Sequence, residues 1–204
     1  WSCWLFERKT KGEMNRHSKH RKIAHLDLGG VVFQSTGTSS QKIHWPVIST
    51  LNAKYGHQWN IGKNVFPDFL ATYNKMTDQS LSGEEFLKEI WDTLEMNREL
   101  VELIRKEHDI VIVSDNYREN ITYISQRFSF EEWAIHQFYS FDFQLEKSNP
   151  DFFRKVLARL PACSPVDMLL IDDSLENIES ASMLGIAGIQ YKSNSQVNRQ
   201  LYTY

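Results

Sequence analysis

Short unbroken apolar runs punctuate this chain, each ending in a polar residue. Ile23-Ala24-His25-Leu26-Asp27 stops at Gly29-Gly30, Ile110-Val111-Ile112-Val113 stops at Ser114, and Met168-Leu169-Leu170-Ile171 stops at Asp172-Asp173. Ile186 to Tyr191 closes the series, and Phe138 to Phe143 is a further, aromatic strand candidate. Strands that are apolar throughout, rather than alternating, are buried on both faces, which predicts a parallel sheet with helices on either side. The helices between them announce themselves. Asn149-Pro150 sets a capping side chain before a proline at the first helical position, and Phe152, Phe153, Val156 and Leu157 then share one face. After the two aspartates, Ser174 leads into Leu175, Ile178, Ala181 and Leu184 and the pattern ends at Gly185, a compact βαβ unit.

Between the first and second runs lie about eighty residues, where a crossover needs only some ten to twelve. The stretch from Ile43 to Glu107 carries helical spacing and no convincing strand: Trp45, Ile48, Leu51 and Tyr55; Phe66, Phe69, Leu70 and Tyr73; Phe86, Leu87, Ile90, Trp91 and Leu94; Leu100, Leu103 and Ile104. Ser82 and Glu85 form a capping box ahead of the third group. The expected class is therefore α/β, a Rossmann-like parallel sheet with an inserted α-helical cap. Its expected division is a basic arm over 1–22, a core over 23–40 and 108–204, and a helical cap over 41–107, with the polar Ser35 to Ser40 as a hinge.

Composition narrows the function classes. A net charge of -3 argues against a dedicated nucleic-acid binder, although Arg8, Lys9, Lys11, Arg16, Lys19, Arg21 and Lys22 concentrate positive charge in one arm, read as solvated. Trp1 to Phe6 is too short for a secretory core or a membrane span. Cys3 and Cys163 lie far apart without metal-ligand spacing, which suits a reducing compartment, and a cytoplasmic protein with no membrane partner is expected. Oligomeric state is not encoded in any of these patterns.

The polar groups that end the runs carry the chemistry, because open α/β sheets gather ligands at the C-terminal edge of their strands. Asp27 before glycines suits a metal ligand or a nucleophile, and alone would more often be a turn aspartate. Asp172 and Asp173 add the oxygen ligands that a hard cation such as Mg²⁺ prefers, and either also suits a helix cap. Ser114 and the backbone amides after it, Asp115 first, can donate to a phosphate, and Lys147 supplies a compact positive charge.

In His25-Leu26-Asp27-Leu28-Gly29-Gly30-Val31, Val113-Ser114-Asp115-Asn116, Lys147-Ser148-Asn149-Pro150 and Ile171-Asp172-Asp173-Ser174, the chain resembles the haloacid dehalogenase superfamily from residue 23 to about 191. It looks most like the subgroup that includes bacterial α-D-glucose-1-phosphate phosphatase and the phosphatase domain of soluble epoxide hydrolase. The resemblance implies that Asp27 attacks phosphorus, that Mg²⁺ is bound by Asp27, the Gly29 carbonyl and Asp173, and that Ser114 and Lys147 hold the phosphate of a small phosphorylated metabolite. Asp172 would ligate through water or orient Asp173.

One position departs from the family pattern: Gly29 stands where most of these phosphatases carry a second aspartate, the general acid and base. His44, His57 or Asp68 of the insertion are possible substitutes that spacing does not rank, whereas His25 reads as structural. Trp59, outside the periodic positions, is a candidate substrate contact. The alternative to a phosphatase is a weak or inactive relative that binds a phosphorylated ligand or a protein.

Overall fold

A computed structural model of the chain describes residues 21–160 and 163–201. Cys3 and all of the basic arm except Arg21 and Lys22 lie outside these residues. Five parallel strands run in the order β5-β4-β1-β6-β7: β5 (His136–Tyr139), β4 (His108–Ser114), β1 (Lys22–Leu26), β6 (Met168–Asp172) and β7 (Ala187–Gln190). The first strand among the described residues is thus the middle of the sheet, which accounts for its apolar run. Arg21 ties down its start by donating to the carbonyls of Arg105 and His108 and pairing with Asp109 at 2.9 Å.

Side chains alternate across a strand, so each run serves two cores. Ile23, Val111, Val113, Met168 and Leu170 point to the face covered by α7 (Pro150–Arg159) and α8 (Leu175–Ser182), where Phe152, Phe153, Val156 and Ala181 meet them. Ala24, Leu26, Ile110, Ile112, Leu169 and Ile171 point to the opposite face. There they meet α4 (Arg98–Arg105), α5 (Arg118–Phe128) and α9 (Asn194–Leu201) through Leu100, Ile104, Ile121, Ile124 and Val197. Asn149 caps α7 through the Asp151 N–H, with Pro150 in the first turn as expected.

The insertion comprises α1 (Trp45–Asn60), α2 (Phe66–Thr77) and α3 (Gly83–Trp91). Phe69, Tyr73 and Phe86 fill its centre, each worth about 1.5–3 kcal/mol when fully buried. The Ser82–Glu85 capping box forms with both of its hydrogen bonds. Its apolar side is continuous with the α5 side of the sheet. Phe33 joins the two, edge-on to Trp91 at 4.9 Å and against Phe128 at 4.6 Å.

The structure corrects the sequence reading at three points. The stretch without a convincing strand contains β3 (Leu94–Met96), which pairs antiparallel with β2 (Phe33–Ser35) as a ribbon carrying the chain into and out of the insertion. A three-residue strand whose partner lies some sixty residues away leaves no local periodicity. The expected hinge is also held at its start, since Thr36 bonds the Thr93 carbonyl through both its N–H and its hydroxyl. Second, α4 packs on β4 and α9, so the inserted helices end before the expected residue 107. Third, the strand candidate Phe138 to Phe143 is strand only as far as Tyr139. The chain then turns into the short α6 (Ser140–Phe143), because the Ser140 hydroxyl bonds both the N–H and the carbonyl of Asn116.

Candidate active site

Strand parity decides which groups meet. Asp27 continues the series Ile23, His25, and its N–H donates to the Ile171 carbonyl, holding the residue in register past the end of β1. Asp172 continues Met168 and Leu170. Both therefore lie on the α7 face, where the loop entering α7 delivers Lys147. The Lys147 ammonium sits 2.6 Å from Asp27 Oδ1 and 2.6 Å from Asp172 Oδ2, and all three residues are buried. Ser114 has the parity of Ile110 and Ile112 and reaches the same edge from the α5 face.

Asp172 is engaged through both carboxylate oxygens, Oδ2 with Lys147 included. Its Oδ1 accepts from the Ser174 N–H at 2.9 Å, and Asn177 Nδ2 donates to both oxygens at 3.1 and 3.2 Å. Asn177 escaped the sequence reading, although one turn of α8 beyond Ser174 is where a donor to a strand-end carboxylate falls. Asp173 points instead toward the glycine turn. A methyl group on Gly30 would lie 2.4 Å from Asp173 Oδ2, and Gly30 has φ +71°, so both space and backbone demand glycine there. Gly29 differs: a Cβ would meet nothing within 4 Å.

Oxygens of Asp27, Asp172 and Asp173 all lie within 4.8 Å of one another. Three carboxylates against one ammonium leave negative charge in excess. The Asp27 carboxyl is raised to about 7, chiefly by burial and with help from Asp172 and Asp173, against the opposing pull of Lys147. Asp173 is raised by burial and by Asp172, with Lys147 opposing. Burial alone would lower the Lys147 ammonium, but Asp27, Asp172 and Asp115 outweigh it and hold the group above the usual lysine range. An all-oxygen donor set in which Asp27 and Asp173 resist ionisation is chemically suited to a hard divalent cation.

Asp115 follows Ser114 with the opposite parity and turns to the α7 side, where its carboxylate accepts from the Lys147 N–H at 2.9 Å. Burial raises it to about 6 despite Lys147. Its side chain is thus occupied in fixing the lysine loop, which leaves its backbone N–H as the group suited to an anion. The next amide, that of Asn116, is taken by Ser140 Oγ at 3.0 Å.

The residues singled out in the insertion are placed differently from one another. His57 Nδ1 lies 2.8 Å from Glu146 Oε2 and Asn60 donates to the same carboxylate, so the end of α1 is bonded to the residue before Lys147. His44 precedes α1 and Asp68 lies in the first turn of α2, both exposed. Trp59 is a correction: it is buried in the last turn of α1, stacked on Tyr117 at 3.4 Å and on Phe66, with its indole N–H on Glu119. It is packing, not an open contact surface. His25 is buried beneath Asp27 with no hydrogen-bond partner for either ring nitrogen among the described residues, and burial lowers it to about 4, so it is neutral.

A strand-edge centre of one lysine and three carboxylates on a Rossmann-like sheet defines a class, and comparison supplies its family. The profile of the haloacid dehalogenase-like hydrolases matches residues 32–190, a span that includes Ser114, Lys147, Asp172 and Asp173 and begins just after Asp27. The chain belongs to the haloacid dehalogenase-like hydrolase family. Among solved structures, a HAD family enzyme of Bacteroides thetaiotaomicron superposes with a TM-score of 0.69 at 17% identity, covering 89% of this chain and 98% of that one. The same enzyme in complex with magnesium and inorganic phosphate gives 0.64 at 17% identity, over 84% and 94% of the two chains. A HAD phosphatase of Thermococcus onnurineus gives 0.55 at 16% identity, over 88% and 97%. No curated protein matches the sequence. Among the described residues, no helix is long and apolar enough to cross a membrane.

Proposed function

We propose that this protein is a Mg²⁺-dependent phosphatase that hydrolyses a small phosphomonoester, a sugar phosphate or similar cytoplasmic metabolite, through a phosphorylated Asp27. The observation that carries the reading is the Lys147 ammonium held between Asp27 and Asp172 at the edge where Ser114 also arrives. An Asp27 oxygen attacks phosphorus as the bond to the leaving oxygen breaks, and the leaving alkoxide takes a proton from solvent; water then attacks the same phosphorus, giving up a proton to solvent, and the bond between the Asp27 oxygen and phosphorus breaks to release phosphate. Lys147 neutralises a phosphoryl oxygen, Ser114 and the Asp115 amide donate to others, and Asp172 with Asn177 fixes the lysine. Asp27, Asp173 and the Gly29 carbonyl would hold Mg²⁺, which supplies charge neutralisation at the phosphoryl group. The inserted helices act as the cap that selects the substrate.

A second reading is favoured by one feature, the missing carboxyl at Gly29: a weak or inactive relative that binds a phosphorylated ligand or a partner protein. Phosphate release from sugar phosphates, nucleotides and an aryl phosphate, with Mg²⁺ or EDTA, separates the two. Metal-dependent turnover that falls by about 10⁴-fold or more in Asp27→Asn supports the phosphatase. Equal, background release from both proteins on every substrate favours the binder.

A further inference from the structure

Behind Ser114 runs a row of buried hydrogen bonds that neither the charged cluster nor the family resemblance accounts for. Trp91 Nε1 donates to Asn120 Oδ1 at 2.5 Å, Asn120 Nδ2 to Asn116 Oδ1 at 2.8 Å, and Asn116 Nδ2 to Ser114 Oγ at 3.5 Å. Exposure is 5% for Trp91, 7% for Asn120, 9% for Asn116 and 1% for Ser114, so bulk water cannot substitute for a missing partner. The row crosses a boundary. Trp91 is the last residue of α3 in the insertion, Asn120 stands on α5, and Ser114 ends β4.

The direction of every bond follows from its first member. An indole N–H can only donate, so the Asn120 amide must present its oxygen to Trp91 and its NH₂ to Asn116. Asn116 then has its oxygen turned toward Asn120, an orientation reinforced by the Tyr117 N–H, which donates to the same oxygen at 2.9 Å. Its NH₂ is left facing Ser114. A hydroxyl that already accepts an N–H has its own proton free to point elsewhere, and at this strand end elsewhere is the anion site.

We propose that Trp91, acting through Asn120 and Asn116, is a positioning residue that fixes Ser114 as a hydrogen-bond donor to phosphate, so that the seating of the inserted helices is felt at the phosphate itself. This rests on the reading of Ser114 as a phosphate ligand. Without the indole N–H, Asn120 is free to flip. Asn116 then loses one of the two donors to its oxygen and is held by the Tyr117 N–H alone. Its NH₂, already 3.5 Å from Ser114, is less firmly aimed at the hydroxyl, and the serine proton is no longer directed toward the ligand.

The test is a double-mutant cycle read by calorimetric titration of inorganic phosphate in the presence of Mg²⁺. Trp91→Phe keeps an aromatic ring against Phe33 and removes the donor, with some loss of buried volume that the serine background of the cycle subtracts. It should weaken phosphate binding by about ten-fold, the value of one hydrogen bond to a charged group. Ser114→Ala should weaken it at least as much, and Trp91→Phe should have no further effect in that background. Equal losses from Trp91→Phe with and without the serine hydroxyl, or no loss in the otherwise intact protein, would overturn the proposal. Unchanged binding by Ser114→Ala would instead withdraw the phosphate reading beneath it. Should Trp91→Phe fail to fold, Asn120→Leu cuts the same row at its second link and is read through the same cycle, with the same two outcomes.

Discussion

On the α7 side of the strand edge, Lys147 lies between two carboxylates with a third nearby, whereas on the α5 side Ser114 ends a row of uncharged amides that begins at an indole. Apart from the exposed Asp173, both halves are buried, and both supply donors to the same small volume. They differ in what disturbs them. The charged half is held by Coulombic attraction that is strong in a poorly polarisable interior, so it answers to protons and cations. The neutral half has no net charge to exploit and is specified by direction, so it answers to which atoms donate and to where α3 sits.

Removing the lysine should break the charged half most severely. Lys147→Met strands Asp27 and Asp172 together, and the expected loss is about 3–5 kcal/mol at neutral pH, seen in urea unfolding. The sign with pH is informative. The Asp27 carboxyl, deprived of its ammonium, has its folded pKa raised further above the unfolded one, so the folded state takes up a proton first and the variant regains stability as pH falls. A variant that loses stability equally at pH 5 and pH 8 would mean that the pair is not the source of the effect. No comparable pH term is expected for Ser114→Ala.

The open space at Gly29 sharpens the comparison from the catalytic side. A Cβ there meets nothing within 4 Å, so Gly29→Asp should fold normally and bring a carboxyl to the charged half. On phosphate esters with poor, alkyl leaving groups it should raise turnover by about 10²-fold, the lower end of what general acid–base help supplies, with a much smaller gain on aryl phosphates. Rates that rise equally for both leaving groups would argue against proton donation as the missing function.

The smallest effect concerns the floor of the charged half. His25 has a folded pKa lowered to about 4 by burial, so the unfolded chain binds a proton that the folded one refuses. Stability from this group is complete above about pH 6.5 and is lost as pH falls toward 4, on the order of 2–3 kcal/mol of it by pH 4.5. His25→Leu should remove that dependence, so the gap between variant and parent in chemical denaturation widens in acid. A gap that does not change between pH 7.5 and pH 4.5 would show that the imidazole is hydrated or paired.

The charged half was legible in the sequence because each of its members ends an apolar run or precedes a helix start, and strand parity does the rest. Asp27, Lys147, Asp172 and Asp173 needed only local pattern and the rule that ligands gather at strand ends. In the neutral half only Ser114, which also ends an apolar run, left such a trace. Asn116, Asn120 and Trp91 are spaced unremarkably, and Trp91 reads as one more apolar position on α3; only the packing of α3 on α5 turns its N–H toward an amide. The adjacent glycines show the same limit. In sequence Gly29 and Gly30 are equivalent turn residues, yet one is required by the Asp173 carboxylate and by its own backbone, and the other by neither. Trp59 was misplaced for a related reason: its stacking partner Tyr117 lies on the sheet domain, where no helical period in the insertion can reveal it.

The ribbon of β2 and β3 has a further meaning for how such a molecule is assembled. Ser35 and Leu94 are register partners, so the chain leaves the sheet and returns to it through adjacent positions, and a tight turn could join them with the strands beneath left in place. As a piece of string, then, the three helices are an interchangeable module spliced into a surface hairpin. As a piece of matter they are not, because Phe33, Trp91 and Phe128 form one apolar seam across the splice. A lineage trading one such module for another keeps the reaction centre's scaffold but must re-fit that seam each time.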